Sequence, residues 1–449
     1  MLDGFFNAKN VAVVGVSRDI NKVGHVIFQN FVESDFKGNV FAVNPNVEFV
    51  LGYKTYDRVS DIDEDVDLVI IAIPSKFVLD VIKDCGKKKV KNVVIISSGF
   101  SEVGNDKLEK ELKRLLDKYG IKCIGPNTLG VFDAYGGVDC VFMPKTRVKR
   151  PRKGGISFVS QSGAVGGAIL DLMSERGYGF SKFIGYGNGV NLEISDFLEY
   201  LKDDDSTRVI CFYLEGVKNG DRFFEVLKEV TKVKPVIGIK AGVTVEGGKA
   251  ALSHTGNLAG DDRIYDGIFK QCGVIRAENV EELFDFVKVF DNYNYVKGRK
   301  IQIITNGGGY GIIGVDNIIK NDLELAKMNS ENKKFLKNEF GGIIVGNPID
   351  LLGDADNNKY KLAIEKSLGD ENIDIVLIVL LTQLPLINTD IVDMVADLKN
   401  ENKPIIVVST GGGFTDVLVR NLEKKGVPVY LFPENAVKSI KALCDYYLK

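Results

Sequence analysis

Short apolar, β-branched runs recur along the chain, each followed by a turn and then by a segment of helical period. The runs are Val11–Val14, Val40–Val43, Leu68–Ile73, Val93–Ile96, Ile156–Val159, Val209–Leu214, Val236–Ile239, Ile301–Ile304, Ile375–Leu381 and Ile405–Val408. Continuous rather than alternating apolar runs predict strands buried on both faces, hence parallel sheets covered by helices. Asp106–Lys118 and Asp221–Lys232 place apolar residues three and four apart with charged residues opposite, which predicts amphipathic helices. Two polar stretches divide the pattern. Lys145–Lys153 is strongly basic and reads as a solvated linker, the other reading being an approach to a phosphate; Asn292–Arg299 is polar and contains glycine. Three α/β domains are therefore expected, over 1–145, 153–292 and 298–449, the second and third opening alike with a strand, a glycine turn and a helix.

Composition narrows the function. With 449 residues, 58 basic and 61 acidic side chains and a net charge of −3, the chain lacks the basic excess of a nucleic-acid or membrane-surface binder. Its six cysteines are scattered, mostly in apolar runs, and read as small buried hydrophobes in a reducing compartment. There is no signal-peptide pattern at Met1–Phe6 and no apolar stretch of membrane-spanning length, so a soluble cytoplasmic protein is expected. Only two histidines, His25 and His254, are available, which excludes His-rich metal sites, and no metal ligand is assigned.

The 48 glycines cluster at strand-to-helix turns. Val11–Val14 runs into Gly15 and Ser17, with Lys22 and Gly24 before the helical segment Val26–Phe31, the topology that offers free N–H groups to a phosphate. The spacing is not G-x-G-x-x-G, and the second strand ends at Asn44-Pro45 where an NAD enzyme carries an acidic residue, so NAD is disfavoured. Ile73-Pro74-Ser75 and Ser97–Glu102 lie on the same carboxyl edge. His25, at the loop–helix junction, reads as a capping or surface residue. In the second domain, Ser160–Ala164 is another turn into a helix of small residues, and the serine at 160 breaks the G-x-S-x-G pattern of a hydrolase. His254 lies in a loop rich in Gly, Ser and Ala, where an imidazole can act as a nucleophile toward phosphorus. Glu215, at a strand end, is the carboxylate best placed to orient it, a surface glutamate being the plainer reading. Ile301–Gly311 repeats the strand–turn–helix start, and two such helix ends together would clamp one phosphate.

These residues, with Gly125–Gly130, Leu252–Gly256 and Gly346–Leu352, resemble in order and spacing the α subunit of ADP-forming acetyl-CoA synthetase (NDP-forming acyl-CoA synthetase), a relative of succinyl-CoA synthetase. The resemblance covers essentially the whole chain. It implies a Rossmann-like CoA-binding domain followed by two flavodoxin-like, succinyl-CoA synthetase-like domains with parallel sheets. Gly15, Ser17, Lys22, Asn44, Pro45, Pro74 and Ser97 would lie near coenzyme A, and Asn127 near the acyl group. His254 would be phosphorylated and Glu215 would orient it. The helices beginning at Ser162-Gly163 and Gly308-Gly309 would hold the phosphate. The implied acid–thiol ligase reaction is acyl-CoA + phosphate + ADP giving acid + CoA + ATP. The chain shows neither a Walker A sequence nor an ATP-grasp domain, so ADP/ATP and Mg²⁺ are expected on a separate ATP-grasp β subunit in an α2β2 heterotetramer. A non-catalytic CoA-sensing protein of the same fold is the alternative, disfavoured because both His254 and Glu215 are present.

Overall fold

Burial decides where each apolar run goes. A computed structural model describes residues 2–249, 261–341, 344–399 and 402–448. His254 and its loop lie outside the described residues. Among the described residues the strands form three sheets. The first contains β1 (Asn10–Val14), β2 (Asn39–Val43), β3 (Phe49–Val50), β4 (Tyr53–Tyr56), β5 (Leu68–Ile71), β6 (Asn92–Ile95) and β7 (Lys122–Ile124), in the order β3-β4-β2-β1-β5-β6-β7. All its pairs are parallel except β3–β4. β1 is central because Val11, Ala12 and Val13 are each 0% exposed, which requires neighbours on both faces. The helix predicted over Asp106–Lys118 spans Asp106–Tyr119 and ends at Gly120, whose φ of +62° suits glycine. It buries Leu112, Leu115 and Leu116, at the three- and four-residue spacing, for roughly 1.5–3 kcal/mol each.

The second sheet contains β8 (Val131–Asp133), β9 (Arg152–Ser160), β10 (Gly179–Gly185), β11 (Val209–Leu214), β12 (Val236–Lys240) and β13 (Ile275–Ala277), ordered β13-β12-β11-β9-β10-β8. Here the domain expectation needs correction. β8 falls inside 1–145, yet it leaves the first sheet and pairs antiparallel with β10, setting Phe132 opposite Phe183. Its three residues are all buried, and the left-handed turn residues Gly125, Asn127 and Gly130 redirect the chain before it. In the basic stretch Arg147, Lys149, Arg152 and Lys153 are exposed, as a solvated linker requires, and Arg150 is the exception. Arg150, partly covered, reaches the buried Asp139 at 2.9 Å and donates to the carbonyls of Val141, Met143 and Val148. Burial pushes the Asp139 carboxyl up and the guanidinium pulls against it, so the charge depends on Arg150. All six cysteines are buried and free.

The chain divides into two compact units, residues 1–278 and 279–449, so the first two sheets share one unit. The helix Val280–Asn292, expected at the end of the 153–292 domain, belongs to the other unit. There Lys288 Nζ donates to the Val429 carbonyl at 2.9 Å and the Tyr430 hydroxyl to the Asp285 carbonyl at 2.8 Å. That unit holds β14 (Lys300–Thr305), β15 (Glu324–Leu325), β16 (Ile344–Val345), β17 (Ile349–Asp350), β18 (Ile375–Val379), β19 (Ile405–Val408) and β20 (Val429–Tyr430). Their order is β16-β17-β14-β18-β19-β20, with β15 beside β14. Among the described residues no helix is long and apolar enough to cross a membrane. Replacing Arg150 by Ala strands the buried Asp139 charge and is expected to lower unfolding free energy by about 3 kcal/mol in urea titrations. Arg150→Lys, which keeps the charge but loses the forked donors, should cost less.

Candidate active site

The residues expected near coenzyme A converge because three strands of the first sheet end side by side. After β1 the chain turns at Gly15 with φ +96°; a Cβ there would lie 2.7 Å from Ile73 Cγ2, so only glycine fits. The helix Val23–Val32 follows, and its N-cap residue Lys22 supplies no capping side chain. Gly24 lets this helix press onto the Gly15 backbone. His25 is buried rather than on the surface. Its ring Nδ1 is 2.7 Å from the Ser17 carbonyl, which only accepts, so Nδ1 carries its hydrogen and braces the turn. Asn44 uses both ends of its amide: Nδ2 donates to the Val16 carbonyl at 2.6 Å, and Oδ1 accepts from Asn46 N–H at 2.9 Å. Ser97 accepts from Ile73 N–H at 3.3 Å and donates back to the Ile73 carbonyl.

One cleft of about 1460 Å³ opens along these turns and continues to the second sheet. Gly15, Ser17, Lys22, Asn44, Pro45, Pro74 and Ser97 line it, as do Asn127, Ser162, Gly163 and Glu215. Of the small residues that begin the helix Gly163–Glu175, Gly163 faces the cleft. Gly166 and Gly167 instead make room for Phe183 and Met143, a packing role. Ser162 caps this helix, its hydroxyl accepting from Val165 N–H at 3.4 Å. Glu215, 6% exposed, follows β11. Its position is set by Gln161, whose Oε1 accepts from the backbone N–H of Glu215 at 2.8 Å and of Gly216 at 3.2 Å.

Gln161 and Asn188 escaped the sequence reading although both line the cleft. The available signal was position: Gln161 sits between the two turn serines, and Asn188 between Gly187 and Gly189. Asn127, with φ +57°, donates from Nδ2 to Asn188 Oδ1 at 3.3 Å. Desolvation around the Lys218 ammonium pulls it below the ordinary lysine value, and its Nζ donates to the carbonyls of Asn188 at 2.9 Å and Gly189 at 2.7 Å. Gly308 and Gly309 open the helix Gly308–Lys320 in the other unit, where the N-cap Gly307 supplies no side chain. Among the described residues no group of three His, Cys, Asp or Glu could hold a metal ion. Gln161→Leu would leave two buried N–H groups beside Glu215 without an acceptor. It is expected to cost about 2–4 kcal/mol of stability, read by denaturant unfolding.

Comparison with known proteins places this geometry. Residues 9–134 match the CoA binding domain and residues 153–290 the succinyl-CoA ligase like flavodoxin domain. The chain is 39% identical over 446 residues to an ADP-forming acetate–CoA ligase of Methanocaldococcus jannaschii, a match that covers 98% of this chain and 62% of that protein. It thus spans less than two thirds of that relative's length. It is 37% identical to the α subunit of ADP-forming acetate–CoA ligase II of Pyrococcus furiosus, covering 99% of this chain and 97% of that one. The solved structure of dinucleotide-forming acetyl-coenzyme A synthetase 1 of Candidatus Korarchaeum cryptofilum, in complex with phosphate and ADP, superposes with a TM-score of 0.92 at 36% identity, covering 99% and 97% of the two chains. The chain belongs to the family of ADP-forming acetate–CoA ligases, in the part that the Pyrococcus furiosus relative carries as its α subunit.

Proposed function

We propose that this chain is the α subunit of an ADP-forming acyl-CoA synthetase that converts acyl-CoA, phosphate and ADP into acid, CoA and ATP. The observation that carries the reading is the single cleft that runs from the glycine turn at Gly15 to Ser162 and Glu215. Its lining, from glycine turn and Lys22 to Asn127 and Ser162, suits an extended thioester with a diphosphate at one end and a reacting carbonyl at the other. The diphosphate would meet Lys22 and the uncapped N–H groups at the start of Val23–Val32. Pantetheine would pass Pro74 and Ser97, bringing the thioester to Asn127.

Phosphate held at the start of Gly163–Glu175 would attack the carbonyl carbon and form a C–O bond. The C–S bond breaks, CoA leaves as thiolate, and acyl phosphate remains. The His254 imidazole would then attack phosphorus, releasing the carboxylate. Glu215 would hold the ring's other nitrogen, stabilising the cation that forms. We assign ADP, ATP and Mg²⁺ to a separate ATP-grasp β subunit, in an α2β2 assembly working in the cytoplasm.

In this reading the isolated chain, given acetyl-CoA and labelled phosphate, takes up label in an acid-labile, base-stable bond but makes no ATP. His254→Ala should abolish the labelling, and Glu215→Gln should slow it by about tenfold to a hundredfold. Labelling of His254→Ala equal to wild type, or coenzyme A binding without any labelling of wild type, overturns the reading; the second result leaves a passive sensor.

A further inference from the structure

Asn127 is held in the cleft wall by a chain of side chains whose polarity runs one way. Asn188, 3% exposed, has its Nδ2 at 2.7 Å from Glu102 Oε2, 2.8 Å from Glu109 Oε2 and 3.2 Å from Ser101 Oγ. Ionised carboxylates only accept hydrogen bonds, so the NH₂ end of the Asn188 amide must face the two glutamates. Its Oδ1 is thereby turned toward Asn127. An oxygen there can only accept, so Asn127 in turn must present its Nδ2, and the contact is 3.3 Å. One N–H of Asn127 is used in this bond and its second N–H is left over.

The backbone gives neither asparagine freedom to relax. Asn127 N–H donates to the Ser97 carbonyl at 2.9 Å, and Asn188 N–H to the Pro126 carbonyl at 3.0 Å. Lys218 clamps the Asn188 and Gly189 carbonyls from the other side. Burial works against the Glu102 charge, but the Asn188 amide and the N–H groups of Gly99 and Phe100 outweigh it, and its carboxyl sits below the ordinary glutamate value. Glu102 therefore stays ionised through the neutral range, and the orienting field persists.

We propose that Asn188 is a positioning residue for acyl transfer: oriented by Glu102 and Glu109, it aims the second N–H of Asn127 at the acyl carbonyl oxygen. The inference rests on the cleft being the acyl-CoA site. As phosphate oxygen bonds to the carbonyl carbon, the C=O electron pair moves onto oxygen, and it returns as the C–S bond breaks and thiolate departs. The Asn127 N–H meets that transient oxyanion, and Asn188 keeps it aimed. Asn188 itself touches no reacting atom.

The test is the rate at which the full chain is labelled by phosphate as acetyl-CoA concentration is varied. Asn188→Asp keeps the shape but sets an acceptor against two carboxylates. Its maximal rate should fall by about 100-fold, the lower end of the range for a lost oxyanion donor, while half-saturating acetyl-CoA shifts by less than about threefold. Reversing the polarity restores the arrangement: with Asn188→Asp, Glu102→Gln and Glu109→Ala combined, the Asp accepts from the Gln amide and from the Ser101 hydroxyl, which no longer donates to Glu109, and still accepts from Asn127. That triple variant should run at least about tenfold faster than Asn188→Asp alone, a rescue that loss of folding would not give. An Asn188→Asp rate within about threefold of wild type, or a triple variant no faster than Asn188→Asp, overturns the positioning role alone. Absence of labelling in wild type overturns the cleft reading and this inference with it.

Discussion

Where a parallel strand stops and a helix starts, the backbone runs out of partners: the strand's last groups have no neighbour and the helix's first N–H groups have no carbonyl behind them. Everything around the cleft follows from how that shortage is met. Neighbouring backbone meets part of it, and polar side chains meet more. Asn44 closes the turn after β2, Ser97 joins two adjacent strand ends, and Gln161 gathers two N–H groups beside Glu215. At the start of Val23–Val32, by contrast, no side chain caps the helix. The donors left over are of the kind an anionic ligand can use, and they stand beside the cleft.

Glycine enters this account for two different reasons. Gly15 and Gly163 border the cleft, and at Gly15 the left-handed turn allows no side chain. Gly166 and Gly167 face inward, where Phe183 and Met143 occupy the space a Cβ would need. A helix of small residues thus partly borders the cleft and partly fits closely against the sheet.

The apolar runs were legible because burial on both faces of a parallel strand leaves a continuous hydrophobic signature, and the site turns were legible because they follow those runs. Cross-chain polar pairing left no such signature. Arg150 looks like one charge in a basic stretch until Asp139 is found against it. Val131–Asp133 reads as part of the first domain, because nothing local to three residues says which sheet they will pair with. Gln161 and Asn188 carry no motif, and their importance arises from groups tens of residues away: Glu215 for one, Glu102 and Glu109 for the other. His25 misleads in the opposite sense, since a polar residue at a loop–helix junction suggests the surface, whereas its ring is buried against the turn it supports.

Acyl transfer in this cleft requires one ligand to engage both of its ends. Hydrogen–deuterium exchange with acetyl-CoA and phosphate present together tests this most directly. Protection is expected in peptides spanning Gly15–Val26 and, in the same experiment, in those spanning Gln161–Val165 and Glu215. Protection confined to the Gly15 turn, with the second sheet's peptides exchanging as in the free chain, would contradict it.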